Sequence, residues 1–126
     1  MTNNQSSNKN KKDFDLEKRT TEFAKRLISF CKKLPKNAIN YRLVGQAVGS
    51  GGSVGANYRE ANDALGKKDL IMRMRIARKE AKEVLHWLEL IEEANLEPEF
   101  TDEVKELMQE ARELKNILSS IIDKIR

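Results

Sequence analysis

The amino-acid sequence predicts an all-α fold, an antiparallel up-down four-helix bundle over residues 14–126 behind a disordered polar N-terminal tail over residues 1–13. Three observations predict it. Apolar residues recur at alternating steps of three and four along separate segments, which lays them on one stripe of a helix. Charged residues make up 35% of the chain and prolines number only two, a composition that suits exposed helix faces better than strands. The breaks between periodic segments are short, as neighbouring antiparallel helices require.

The opening MTNNQSSNKNKK has no apolar side chain after Met1, so it has nothing to contribute to a core. The first helix follows. Leu16, Thr20, Phe23, Leu27, Phe30 and Leu34 step by four and three, and Pro35 stops the run. A link near PKN (Pro35–Asn37) leads into the second segment.

That segment holds VGQAVGSGGSVGANYREA (Val44–Ala61), with glycine at 45, 49, 51, 52 and 55. As a loop it would be a structureless stretch of roughly 15 residues inside a small domain, which is rare. As a helix, roughly Ala38–Ala64, it places Leu43, Ala47, Ser50, Val54, Asn57 and Ala61 on one stripe. Gly45, Gly49, Gly52 and Ala56 fall on a neighbouring stripe of tiny residues. Glycine costs about 0.5–1 kcal/mol against alanine inside a helix. Close approach of two backbones is the expected return, with Gly66 as the C-terminal cap.

The third helix begins after GKKD (Gly66–Asp69). Leu70, Met74, Ala77, Ala81, Val84, Leu88 and Ile91 form its stripe, and NLEPEF (Asn95–Phe100) ends it. The fourth carries Val104, Leu107, Ala111, Leu114, Leu118, Ile121 and Ile125. Thr101 is its expected N-cap, with Asp102 and Glu103 at the positive end of the dipole.

The totals exclude several classes. One cysteine, Cys31, forms no internal disulfide, so a reducing, cytoplasmic setting is expected. No signal-peptide core and no membrane span is expected either. The net charge of +4 is unevenly spread: +5 over residues 67–82 and −8 over residues 83–106. One region suits a polyanion and the other a cation-rich partner.

Chemistry-bearing motifs are sparse. A GxGxxG begun at Gly49 meets Val54 where glycine is needed. A P-loop ending at Gly66-Lys67 meets Ala61 and Lys68 at its fixed positions, and no strand precedes either. His86, the single histidine, has only Glu83 and Glu89 at i±3, an exposed helix pairing rather than a base with an orienting partner. Cys31 beside Lys32 and Lys33 reads as packing next to Phe30. Glu83 and His86 give a single Glu-x-x-His, where di-iron bundles need two. No catalytic residues, metal or cofactor are expected.

Two polar patterns remain. Gln46, Ser50, Ser53, Asn57 and Glu60 form a seam of small and amide side chains, expected to be a buried or interfacial hydrogen-bonded row that sets packing. Glu60 would then take Arg59, Arg78 or Lys79 as its cation. On the third helix Lys68, Arg75, Lys79, Lys82 and His86 form a one-sided basic stripe, flanked by Arg73 and Arg78. It reads either as a solvated face or as a track for phosphates, and its repetition in an oligomer would favour the second. No aromatic side chain interleaves, so base stacking is not implied.

The segments LP (Leu34–Pro35), SGGSVGANYREA (Ser50–Ala61), KKDLIMRMRIARKEAKE (Lys67–Glu83) and HWLEL (His86–Leu90) resemble the "four helix bundle protein" family. That family is encoded by intervening sequences within bacterial 23S rRNA genes, and is similar in turn to the accessory variability determinants of diversity-generating retroelements. The resemblance runs from about Phe14 to the C-terminus. Its most specific part is Ser53, Asn57 and Glu60 followed by Lys79, Glu80 and Trp87; Gly49, Gly51 and Gly52 replace bulkier residues common in the family. It implies a homopentamer with a central channel, and no enzymatic activity is established for the family. It also implies, from the retroelement relatives, a basic surface that meets RNA or DNA and reverse transcriptase.

The expectation is therefore a non-enzymatic, oligomeric nucleic-acid-binding or scaffolding protein. Lys68, Arg73, Arg75, Arg78, Lys79 and Lys82 would contact phosphates. Gly45, Gly49, Gly52, Ser53, Ala56, Asn57, Glu60 and Trp87 would serve packing or an interface. The alternative is a protein-interaction module whose acidic tract, Glu89–Glu106, meets a neighbouring subunit or docks a basic partner such as a reverse transcriptase.

Overall fold

The computed structural model describes residues 15–126 and places them in four helices: α1 (Leu16–Cys31), α2 (Ala38–Asn62), α3 (Lys67–Ala94) and α4 (Pro98–Ile125). The tail expected over residues 1–13, and Phe14 with it, lie outside the described residues. Links of six, four and three residues leave each helix antiparallel to the next. Each helix packs on its chain neighbours, α1 also meets α4, and no diagonal pair brings its backbones close. This is the predicted four-helix bundle, with no strand among the described residues.

The predicted stripes form the core. All six residues of the α1 stripe are buried, as are Met74, Ala77, Ala81, Val84, Leu88 and Ile91 of α3. On α4 the stripe holds from Val104 to Leu118, and then Ile122 is buried in place of Ile121. A straight helix turns 3.6 residues per turn, so a strict 3.5 repeat drifts off the core over several turns.

Helix boundaries follow local chemistry. Asn37 is extended and its side-chain oxygen accepts from the Asn40 amide at 2.9 Å, capping α2. The expected cap at Thr101 is incorrect: α4 starts at Pro98, whose fixed φ and missing N–H suit a first turn. That start sets the Phe100 ring edge-on to Phe30 of α1, centroids 6.4 Å apart. Gly66 is likewise not the end of α2, which stops at Asn62; it is the extended residue before α3, and its carbonyl accepts from Leu70 N at 2.9 Å.

The glycine segment is helical throughout, but within the chain the close approach falls on other glycines than the expected Gly45, Gly49 and Gly52. A methyl group built at Gly45, Gly49 or Gly52 meets nothing within 4 Å. Gly51 and Gly55 are the buried ones. A Cβ at Gly51 would approach Leu27 Cδ2 to within hard contact, and one at Gly55 would sit 2.8 Å from Thr20 Oγ1 and 3.2 Å from Thr20 Cβ. Thr20, fully enclosed, turns its hydroxyl back to the Leu16 and Glu17 carbonyls at 2.9 and 3.0 Å. The thin face of α2 thus receives α1.

The α1–α4 seam is the least extensive of the four and carries ion pairs. Arg19 forks onto Glu110 at 2.7 and 2.9 Å in half-buried surroundings and reaches the exposed Glu113 at 2.7 Å. The hydrogen bonds to Glu110 raise the guanidinium's pKa against the lowering effect of burial. Lys33 bonds to Glu103 further along the seam. At the same end of the bundle, Asn40 and Asn95 exchange amide hydrogen bonds at 3.0 and 2.9 Å. Both are buried. Asn40 also donates to the Pro35 carbonyl and Asn95 to the Ile91 carbonyl, each at 2.9 Å.

Candidate functional site

The first half of α3 presents the predicted cations. Its core stripe points inward, which turns Lys68, Arg75, Lys79 and Lys82 to the opposite face, all exposed. Among the described residues none of the four forms a salt bridge. The two flanking arginines differ. Arg73 is half-buried and 3.8 Å from Asp69, one turn back. Arg78 lies against α4, its Nη1 donating to Ser119 Oγ at 3.3 Å. The structure therefore gathers four of the six expected phosphate ligands in one row and ties the other two to the protein. His86 continues the row in sequence, exposed, its ring edge-on to Trp87 at 4.9 Å.

A trough of about 840 Å³ runs along this face, lined by Lys68, Arg75 and Lys79, by Asp69, and by Ile71, Met72 and Ile76. The apolar members went unnoticed in the sequence because they fall between the core heptad positions. The signal was available: isoleucine or methionine at 71, 72 and 76, off the stripe that Leu70, Met74 and Ala77 define. Beside the trough, Glu80 is half-buried and its carboxyl titrates above the usual range. Burial is the main cause, Glu83 adds repulsion, and Lys79 partly offsets both.

The expected packing residues separate into three groups. Gly45, Gly49, Gly52 and Ala56 form an exposed strip on α2 with no intrachain role in close approach. Next to it a hollow of about 360 Å³ opens between the end of α1 and the start of α2, lined by Ile28, Leu34, Tyr41, Val44 and Val48 among others. The polar seam is not a row bonded across helices. Ser50 Oγ donates to the Gln46 carbonyl at 3.0 Å and Asn57 Nδ2 to the Ser53 carbonyl at 2.9 Å, so the helix's own backbone satisfies them. Glu60 is exposed and in no salt bridge among the described residues, so Arg59, Arg78 and Lys79 do not serve as its expected cation partner. Trp87 is half-buried against the core, and its indole N–H is enclosed without a partner among the described residues.

Other chemistry is thin. Burial pushes the Cys31 thiol up to about 11, which keeps it protonated and unreactive at neutral pH. Among the described residues no three His, Cys, Asp or Glu side chains stand together as metal ligands, and no helix is long and apolar enough to cross a membrane.

Known proteins place this architecture. The chain is similar to a crystal structure of a protein of unknown function from the S23 ribosomal protein family of Bacteroides thetaiotaomicron VPI-5482, with 31% identity and a TM-score of 0.74. The match covers 84% of this chain and 96% of that one. No curated protein matches. Residues 12–120 match the family described as 23S rRNA-intervening sequence protein. With that match over most of its length and the bundle it folds into, the chain belongs to the 23S rRNA-intervening sequence protein family.

Proposed function

We propose that this protein is a non-enzymatic, oligomeric nucleic-acid-binding or scaffolding protein that holds RNA or DNA on the outer face of α3. One observation carries the reading: four exposed cations, Lys68, Arg75, Lys79 and Lys82, stand in a row along one helix face without a salt bridge among the described residues. Cations left unneutralised in a file attract a polyanion, and the attraction is indifferent to sequence. The resemblance to the retroelement proteins points the same way. Arg73 and Arg78 hold the flanks through Asp69 and Ser119 and supply field rather than direct contact.

Assembly is part of the proposal. The smooth strip Gly45, Gly49, Gly52 and Ala56 and the adjoining apolar hollow at Tyr41, Val44 and Val48 form a face of α2 suited to a neighbouring copy, and the resemblance implies a pentamer. Copies arranged around an axis would repeat the basic row and multiply its grip. A solution mass above that of one chain, kept at high salt, is the expected outcome.

The test of the main claim is a binding titration with a labelled RNA at about 100 mM salt. Arg75→Glu with Lys79→Glu lowers affinity at least about tenfold if these residues meet phosphates. Unchanged affinity assigns the row to solvent. A second reading, the protein-docking module, is favoured by one observation: Leu90 and Leu96 are exposed within the acidic tract that ends α3 and begins α4. Under it, a basic protein partner binds and the double reversal has no effect.

A further inference from the structure

Resting on the reading that α3 binds nucleic acid, we propose that its trough selects single strands over duplexes, the bases lying on Ile71, Met72 and Ile76 while Lys68, Arg75, Lys79 and Lys82 take the phosphates.

The argument begins with three apolar side chains that have no packing task. Met72 is 48% exposed. Ile71 and Ile76 are half-exposed, and neither belongs to the core or to the apolar rim packed against it. α3 already commits Met74, Ala77, Ala81, Val84, Leu88 and Ile91 to the interior. A second apolar group on its outer face serves something outside the chain. It shares its trough with three cations, Lys68, Arg75 and Lys79, against one carboxylate, Asp69, which faces Arg73 at 3.8 Å, so whatever lies there is both anionic and apolar.

A duplex does not fit that description. It turns phosphates outward and keeps the base faces stacked inside, so aliphatic side chains between the cations would lose water against charged backbone. An unstacked strand offers both surfaces: phosphates for the cations and flat base faces for the aliphatic floor. Arg75 adds a guanidinium plane on which a base can lie. No aromatic residue lines the trough, so the hold on each base is looser than on an aromatic platform and does not read sequence. The cations also continue past the apolar floor to Lys82, a file of about 21 Å from Lys68 at 1.5 Å per residue. A linear polyanion matches a file; an anionic membrane, the other partner of a basic and apolar helix face, asks for cations spread over a plane.

The experiment is a fluorescence-anisotropy titration of the full-length chain with a labelled 20-nucleotide polyuridine and with a 20-base-pair RNA duplex at equal salt. The expected result is about tenfold tighter binding of the single strand. Met72→Ser with Ile76→Ser removes most of that preference and leaves duplex affinity within about twofold, whereas Lys79→Glu weakens both ligands. Met72→Ser alone, at a position half open to water, replaces the double change if melting shows that the latter unfolds. Equal affinity for strand and duplex, or serine variants that retain the preference, overturn the selection and leave phosphate binding standing. Binding to neither nucleic acid, with sedimentation on phosphatidylserine–phosphatidylcholine vesicles, overturns both.

Discussion

At Gly55 the distance from an added Cβ to Thr20 is set by two rigid things, a helix backbone and a β-branched side chain whose hydroxyl is already bonded. Gly55→Ala therefore lowers stability. Overpacking costs about 1–3 kcal/mol in a filled core, against at most about 1 kcal/mol regained from helix propensity. Within one chain Gly49→Ala meets open space, so in protein dilute enough to be monomeric it raises stability by about 0.5–1 kcal/mol. Thermal melts of the two variants should move in opposite directions; a shift of the same sign in both would contradict the assignment. The sequence showed that α2 is thin but not where. Five glycines spread around a helix leave its buried face to be chosen by the partner, and Thr20 and Leu27 of α1 choose Gly55 and Gly51. Glu80 gives a second residue-scale expectation. Its carboxyl is raised by burial and by Glu83, so the folded state holds the proton more tightly than the unfolded chain does. Its ionisation thus removes stability as pH rises out of the carboxylate range. Glu80→Gln should raise the melting temperature at pH 7, and the gain should shrink as pH falls through the carboxylate range, where protonation makes Glu80 neutral like glutamine. A gain as large at pH 4 as at pH 7 would refute this.

Among the elements, helix identity was legible and helix ends were not. The three-and-four steps of Leu16–Leu34, Leu70–Ile91 and Val104–Leu118 fix which segments are helical and which faces turn inward, because only one stripe can bury them. The ends depend on tertiary partners. α4 begins at Pro98 rather than Thr101, and the earlier start sets Phe100 against Phe30. The Asn40–Asn95 pair was invisible for the same reason: 55 residues separate two amides that only the closed bundle brings together. That pair pins the start of α2 to the end of α3. Asn95→Ala leaves the buried Asn40 Oδ1 without its donor while Asn40 Nδ2 keeps the Pro35 carbonyl, and denaturant unfolding should show a loss of roughly 1–3 kcal/mol. A loss under about 0.5 kcal/mol would mean that water replaces the bond. The α1–α4 seam is the least extensive and carries the Arg19 fork onto Glu110, a contact that charge spacing along the chain cannot reveal.

Over the whole molecule, charge is what the bundle organises. The excess of +5 between residues 67 and 82 was plain in the sequence, and so was its placement on one helix. The structure adds a division within it. Arg73 and Arg78 are occupied by Asp69 and Ser119, while Lys68, Arg75, Lys79 and Lys82 stand in the open beside an apolar floor that the heptad reading passed over. The claim that this face holds nucleic acid predicts a countable property, since each cation that neutralises a phosphate releases counterions. The most direct measurement is the slope of log affinity against log salt concentration for wild type and for Lys79→Gln. The account predicts a steep negative slope that becomes shallower by about one when Lys79 is neutralised. A slope near zero, or one that Lys79→Gln leaves unchanged, would contradict it.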